Sequence, residues 1–115
     1  MTSLDPVRRP GEFVFVLGEE NVPAEASVRE DEGLTLVLAR ERADELGLTY
    51  DFVAAWITLR LHSQLDAVGL TAAFSRALAD AGIGCNVLAG LHHDHLLVPV
   101  DRAEEALAVL AGLAP

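Results

Sequence analysis

The sequence holds one cysteine, one tryptophan, one tyrosine, no lysine, and no long apolar run. Each absence removes a class of reading. Cys85, alone, cannot close an intramolecular disulfide, and a reducing compartment suits it. Without lysine there is no amine for Schiff-base chemistry. All 8 basic residues are Arg, a bias that runs through the whole chain and reads as coding preference rather than function. No stretch approaches the ~20 apolar residues that a membrane span requires. The opening segment from Met1 to Pro10 is rich in proline and arginine and has no apolar core of a secretory leader, so the expected location is cytoplasmic. Aromatic residues make up only 5%, so a core must be built from Leu, Val, Ile and Ala.

What is present supports such a core. The chain has 115 residues, 51% of them apolar, enough for about one domain of ~100–150 residues. Its 18 acidic residues against 8 basic ones give a net charge of −10. That balance argues against nucleic acid or an anionic membrane as a partner, because both demand a positive footprint. Glu19, Glu20, Glu25, Glu30, Asp31 and Glu32 crowd one stretch with Arg29 among them. They read as a solvated loop face or, alternatively, as a cation site.

Residues 1–11 read as a loose lead-in. Phe13 to Leu17 is a short β-rich run ended by Gly18, and the polar stretch from Glu19 to Glu25 is a loop around Pro23. Ser27–Glu30 and Leu34–Leu38 read as a hairpin turning at Asp31-Glu32-Gly33. Glu41 to Leu46 makes a helical turn stopped by Gly47. From Ala55 to His62 the pattern alternates, with Ile57, Leu59 and Leu61 on one face and Trp56, Thr58, Arg60 and His62 on the other. A helix over about 66–81 carries the stripe Leu70, Phe74, Ala77, Leu78 and Ala81, with Asp66 as N-cap and Gly82 beyond its end. Cys85–Leu91 and Leu96–Val100 read as strands around a His-rich turn. A last helix opens at Asp101 with Glu104 in capping-box spacing and buries Ala103, Ala106, Leu107 and Leu110.

Strand, helix, strand, strand, helix is most of the ferredoxin-like βαββαβ plan, an α+β sandwich with helices on one face of an antiparallel sheet. The pattern lacks the plan's last strand, and Phe13–Leu17 is the expected substitute, since an open sheet edge invites aggregation.

The stretch Ser63-Gln64-Leu65-Asp66-Ala67-Val68-Gly69-Leu70, continuing through Phe74, Leu78 and Ala81-Gly82-Ile83 to Asn86-Val87, resembles the ACT-domain signature. Asp66, Gly69, Gly82 and Ile83 fall where that pattern wants them, while Val68 stands where it usually has proline. The resemblance covers about residues 55–113. With His93-Asp94-His95-Leu96 and Val98-Pro99 added, the chain is similar to short stand-alone bacterial proteins built of ACT-like halves. It implies an abbreviated half over 1–54, a fuller ACT-like half over 55–115, and regulatory binding of an amino acid or similar small metabolite at an interface between paired modules. The ligand-binding residues it implies are Ser63, Leu65, Asp66, Ala67, Val68, Gly69, Leu70, Asn86 and Val87. A ligand carboxylate is the physical match: a helix start offers unpaired amide hydrogens and partial positive charge. From the residues alone, Asp66 serves equally as a helix cap, Gly69 as a packing glycine and Asn86 as a strand-entry residue.

His62, His93, Asp94 and His95, with His92 beside them, pose a separate question. Imidazole and carboxylate are metal ligands, and His93 or His95 could instead touch a ligand or merely occupy a turn. Alternation sends neighbours in such a turn to opposite faces, so no metal site is expected, and no cofactor. No nucleophile–base pattern or phosphate loop is present, and Cys85 reads as an inert thiol. The expectation is therefore a non-enzyme. The amphipathic face with Trp56, Thr58 and Arg60 suggests a homodimer. The alternatives are a ligand-free assembly module and a metal-dependent enzyme using the residues from His92 to His95.

Overall fold

The computed structural model describes residues 4–60 and 67–113, arranged as two compact units. Gly11–Ala54 forms one unit; Met1–Pro10 with Ala55–Pro115 forms the other. Among the described residues there are seven strands, β1 (Pro6–Arg8), β2 (Phe13–Gly18), β3 (Ala26–Glu30), β4 (Gly33–Ala39), β5 (Val53–Leu59), β6 (Asn86–Ala89) and β7 (Asp94–Pro99). Three α-helices accompany them, α1 (Arg40–Glu45), α2 (Ala67–Asp80) and α3 (Ala103–Ala111), with a 3-10 turn over Val100–Arg102. The class is α+β with antiparallel strand pairing, and the ACT-like plan holds.

In the unit Gly11–Ala54, β4 pairs β3 on one side and β2 on the other, both antiparallel. The β3–β4 hairpin closes with Glu30 opposite Gly33, as the turn residues require. Val14, Val16, Leu36 and Leu38 turn one face inward against Ala43 of α1. Helix α1 stops because the chain reverses at Gly47, whose φ of +68° suits a residue without Cβ. The amides of Gly47 and Leu48 then reach back to the carbonyls of Asp44 and Ala43 at 3.1 and 2.9 Å.

In the other unit the strand neighbours are β5-β7-β6, and β1 pairs β5 antiparallel. Leu70, Phe74 and Leu78 of α2 and Ala103, Ala106 and Leu110 of α3 pack with Ala55, Ile57, Leu59, Leu96 and Val98, so both helices cover the same strand face. Helix α2 ends as α1 does: Gly82 has φ +74°, and the amides of Gly82 and Ile83 bond the carbonyls of Ala79 and Leu78, each at 2.9 Å. Arg102 adds a cationic cap, its guanidinium donating to the carbonyls of Ala81 and Gly82 at 2.9 and 3.3 Å.

Three expectations change. The expected loose lead-in over 1–11 is not loose from Leu4 on: Leu4 is fully buried in the core, Pro6–Arg8 is a strand, and the Arg60 amide bonds the Asp5 carbonyl at 3.1 Å. The place beside Ile57–Leu59 therefore belongs to β1, while β2 meets β5 only at Val53 and Ala54. The capping box at Asp101 does not form, because a 3-10 turn occupies Val100–Arg102 and the α-helix begins after it without a side-chain cap. Lastly, Asp94 and His95 are not in the turn but on β7. Among the described residues, no helix is long and apolar enough to cross a membrane.

Candidate functional site

The first candidate region is the start of α2. Ser63, Leu65 and Asp66, like His62, lie outside the described residues. Ala67 and Val68 are the first two residues of the helix, and Gly69 stands in its first turn, exposed. Among the described residues, nothing lies within 4 Å of a Cβ built on Gly69, so no described side chain fills the space above this turn. Among the described residues, no acidic side chain stands in the first turn to offset its partial positive charge. Leu70 faces the other way, 9% exposed within the core, and anchors the helix rather than lining that space.

Asn86 and Val87 open β6, opposite Leu97 and Leu96. Both are exposed, which is unusual for a valine in a strand. They follow the far end of α2: the helix rises about 16 Å between Gly69 and Asp80 at ~1.5 Å per residue. Gly69 and Asn86 thus flank opposite ends of one helix in chain order.

The second region is built around His95. Its Nδ1 lies 3.3 Å from the indole Nε1 of Trp56 and 3.0 Å from the hydroxyl of Thr58. Indole N–H only donates, so Nδ1 must accept and the neutral ring carries its proton on Nε2. Imidazole and indole also meet edge-on, with centroids 5.6 Å apart. Gly90 leaves room for this ring, since a Cβ there would stand 3.3 Å from His95 Nε2 and 3.1 Å from the His93 carbonyl. The Arg9 guanidinium lies over the Trp56 ring at 4.2 Å from its centroid, within cation–π range. Desolvation, then the charges of Arg9 and His93, hold the His95 imidazolium below its ordinary pKa, against an opposing effect of Asp94.

The structure therefore brings His95, His93 and Asp94 together, with His93 and His95 rings 6.5 Å apart. Among the described residues no three His, Cys, Asp or Glu side chains are grouped to hold a metal ion. Sequence reasoning missed Arg9 and the Trp56–Thr58–His95 cluster. The alternation that put Trp56 and Thr58 on one face was the available signal; the strand assignment of His95 was not. Trp56 is also only 3% exposed within the single chain, so it does not mark an open face for a second subunit. Cys85 is half-buried, and burial pushes its thiol above the ordinary pKa of 9.0, away from nucleophilic thiolate.

In the unit Gly11–Ala54, Arg40 donates from Nε to the Tyr50 hydroxyl and from its guanidinium to Glu12, both at 2.9 Å. Tyr50 in turn donates to Asp44 at 2.7 Å. Beside this network is an open depression of about 450 Å³. Arg29 pairs with Glu20 and Thr35 with Glu30, so part of the acidic stretch is already partnered.

Two ACT-domain family models match the chain, one over residues 1–55 and the other over residues 52–112. ACT domains are generally regulatory, ligand-binding modules. The chain belongs to the ACT-domain family. It is 42% identical to a Vibrio cholerae protein of unknown function, described as a possible transport protein; 99% of this chain and 92% of that one align, with a TM-score of 0.89. An Agrobacterium tumefaciens protein shares the fold at 22% identity, covering 87% of this chain and 79% of that one, with a TM-score of 0.68. The aspartokinase alpha and beta subunits share it at 14% identity, covering 95% and 96% of the two chains, with a TM-score of 0.65. No curated relative matches the sequence.

Proposed function

We propose that this protein is a cytoplasmic sensing module that binds an amino acid or similar small metabolite at the start of α2 and passes the signal to a partner protein. The observation that carries this reading is the first turn at Gly69, which no described side chain fills, in a chain of a ligand-binding family. A carboxylate suits its amide hydrogens, and Ser63, Leu65, Asp66, Ala67 and Val68 complete the binding segment. One helix-end interaction contributes only ~0.3–1 kcal/mol, so further groups must converge on the ligand. Asn86 and Val87 flank the other end of α2, so in this reading they come from a second copy, which makes the working form a homodimer. The halves 1–54 and 55–115 then act as a reduced and a complete ACT-like module.

A thermal-shift screen of amino acids on the full chain tests the reading. A true ligand at about one hundred times its Kd stabilises the fold by about 2.7 kcal/mol. Gly69→Leu adds bulk at the site, so it should leave the unliganded melting temperature in place or raise it slightly and abolish the ligand's shift. A shift that survives in Gly69→Leu removes this site.

A ligand-free assembly module is the second reading, favoured by Val28 on β3 and Val87 on β6, 48% and 36% exposed. Light scattering showing a dimer, together with a silent ligand screen, would select it.

A further inference from the structure

The His95 cluster is not used by the sensing function proposed above, and its chemistry is specific. Two donors from β5 converge on one imidazole nitrogen of β7. One of them, the Trp56 indole, cannot reverse its role, whereas the Thr58 hydroxyl can donate or accept. A proton on Nδ1 would set N–H against N–H at Trp56 and leave Thr58 as the sole remaining tie.

We infer that His95 is a proton-operated latch: neutral, it ties β7 to Trp56 and Thr58 of β5; charged, it releases Trp56 and loosens this strand face. The surroundings favour the neutral state. Arg9, beyond β1, brings positive charge over Trp56. β5 contributes Trp56 and Thr58, neither titratable at neutral pH. β6 places Leu88 opposite His95 and has no ionisable residue. The turn before β7 contributes His93, with His92 next to it at 6.4 Å between ring centroids. Among the described residues, Asp94, adjoining on β7, is the acid acting on it, and it favours the charged ring. Burial and the electrostatic effects of Arg9 and His93 outweigh it, so the ring's pKa falls below 6.5. Mild acidification, rather than a small organic ligand, is the signal this cluster is built to read.

Trp56 is the only tryptophan, so emission from the intact chain reports directly on the latch. Between about pH 8 and about pH 5 the emission should follow a single-proton transition, with its midpoint below 6.5. Far-UV circular dichroism over the same range should stay constant. His95→Gln, whose carbonyl can still accept from the indole, should abolish the transition. His93→Gln should keep it and move its midpoint upward, because one opposing charge is gone. Flat emission in the native chain, or an unchanged transition in His95→Gln, overturns the latch. Imidazole nitrogen NMR on the native chain gives a readout independent of any variant. There, His95 should be the Nε2–H tautomer and titrate together with the Trp56 indole N–H. A proton on Nδ1 in the neutral ring, or a midpoint at or above 6.5, overturns it.

Discussion

Gly82 and Gly69 show how differently two glycines of one helix are used. At Gly82 the backbone is left-handed, φ +74°, although nothing crowds a side chain there. Gly82→Ala is therefore expected to destabilise the fold by about 1–2 kcal/mol through backbone strain alone, measured by urea denaturation. Gly69 sits in the helix, where among the described residues nothing crowds a side chain or demands glycine. Gly69→Ala should leave stability unchanged or raise it slightly, by up to about 1 kcal/mol. Cys85 provides a third residue-level test. With its thiol pushed above 9.0 by burial, its alkylation by iodoacetamide should be slow at neutral pH, and its rate should rise with a midpoint above that of a free thiol. A midpoint at or below 9.0 would contradict the half-buried environment.

Among the elements, β1 is the one whose importance the sequence hides. Three residues of strand and Leu4 form the edge and part of the core of the second unit. Leu4→Ala removes a fully buried side chain, and a loss of about 2–5 kcal/mol is expected in calorimetric unfolding. A loose arm would show no loss. The helices were legible because their apolar stripes repeat at helical spacing and glycine follows each of α1 and α2. The α3 start was not: Asp101 and Glu104 have capping-box spacing, but the chain leaves β7 through a 3-10 turn that puts Asp101 before the helix. Local spacing names a cap only when the incoming chain direction allows it.

For the whole molecule, linkage gives a stability profile with two shoulders. His95 has a folded pKa below 6.5, so its contribution is present above 6.5 and lost as pH falls through the folded value. Cys85 has a folded pKa above 9.0, so its contribution is present below 9.0 and lost as pH rises through the folded value. Denaturation midpoints should accordingly be level between 6.5 and 9.0 and decline on both sides, with the acid limb shallower in His95→Gln. The net charge of −10 adds a separate expectation: no retention on DNA or on anionic vesicles even at low salt.

The order of elements, the buried stripes and the acidic surface were determined by the sequence itself, because apolar periodicity and charge are properties of neighbours along the chain. The edge strand at Pro6–Arg8 and the meeting of Arg9, Trp56, Thr58 and His95 were decided only by tertiary structure. Those contacts join residues that are tens of positions apart, and in a strand of three residues alternation is too short to declare which face or partner it will take.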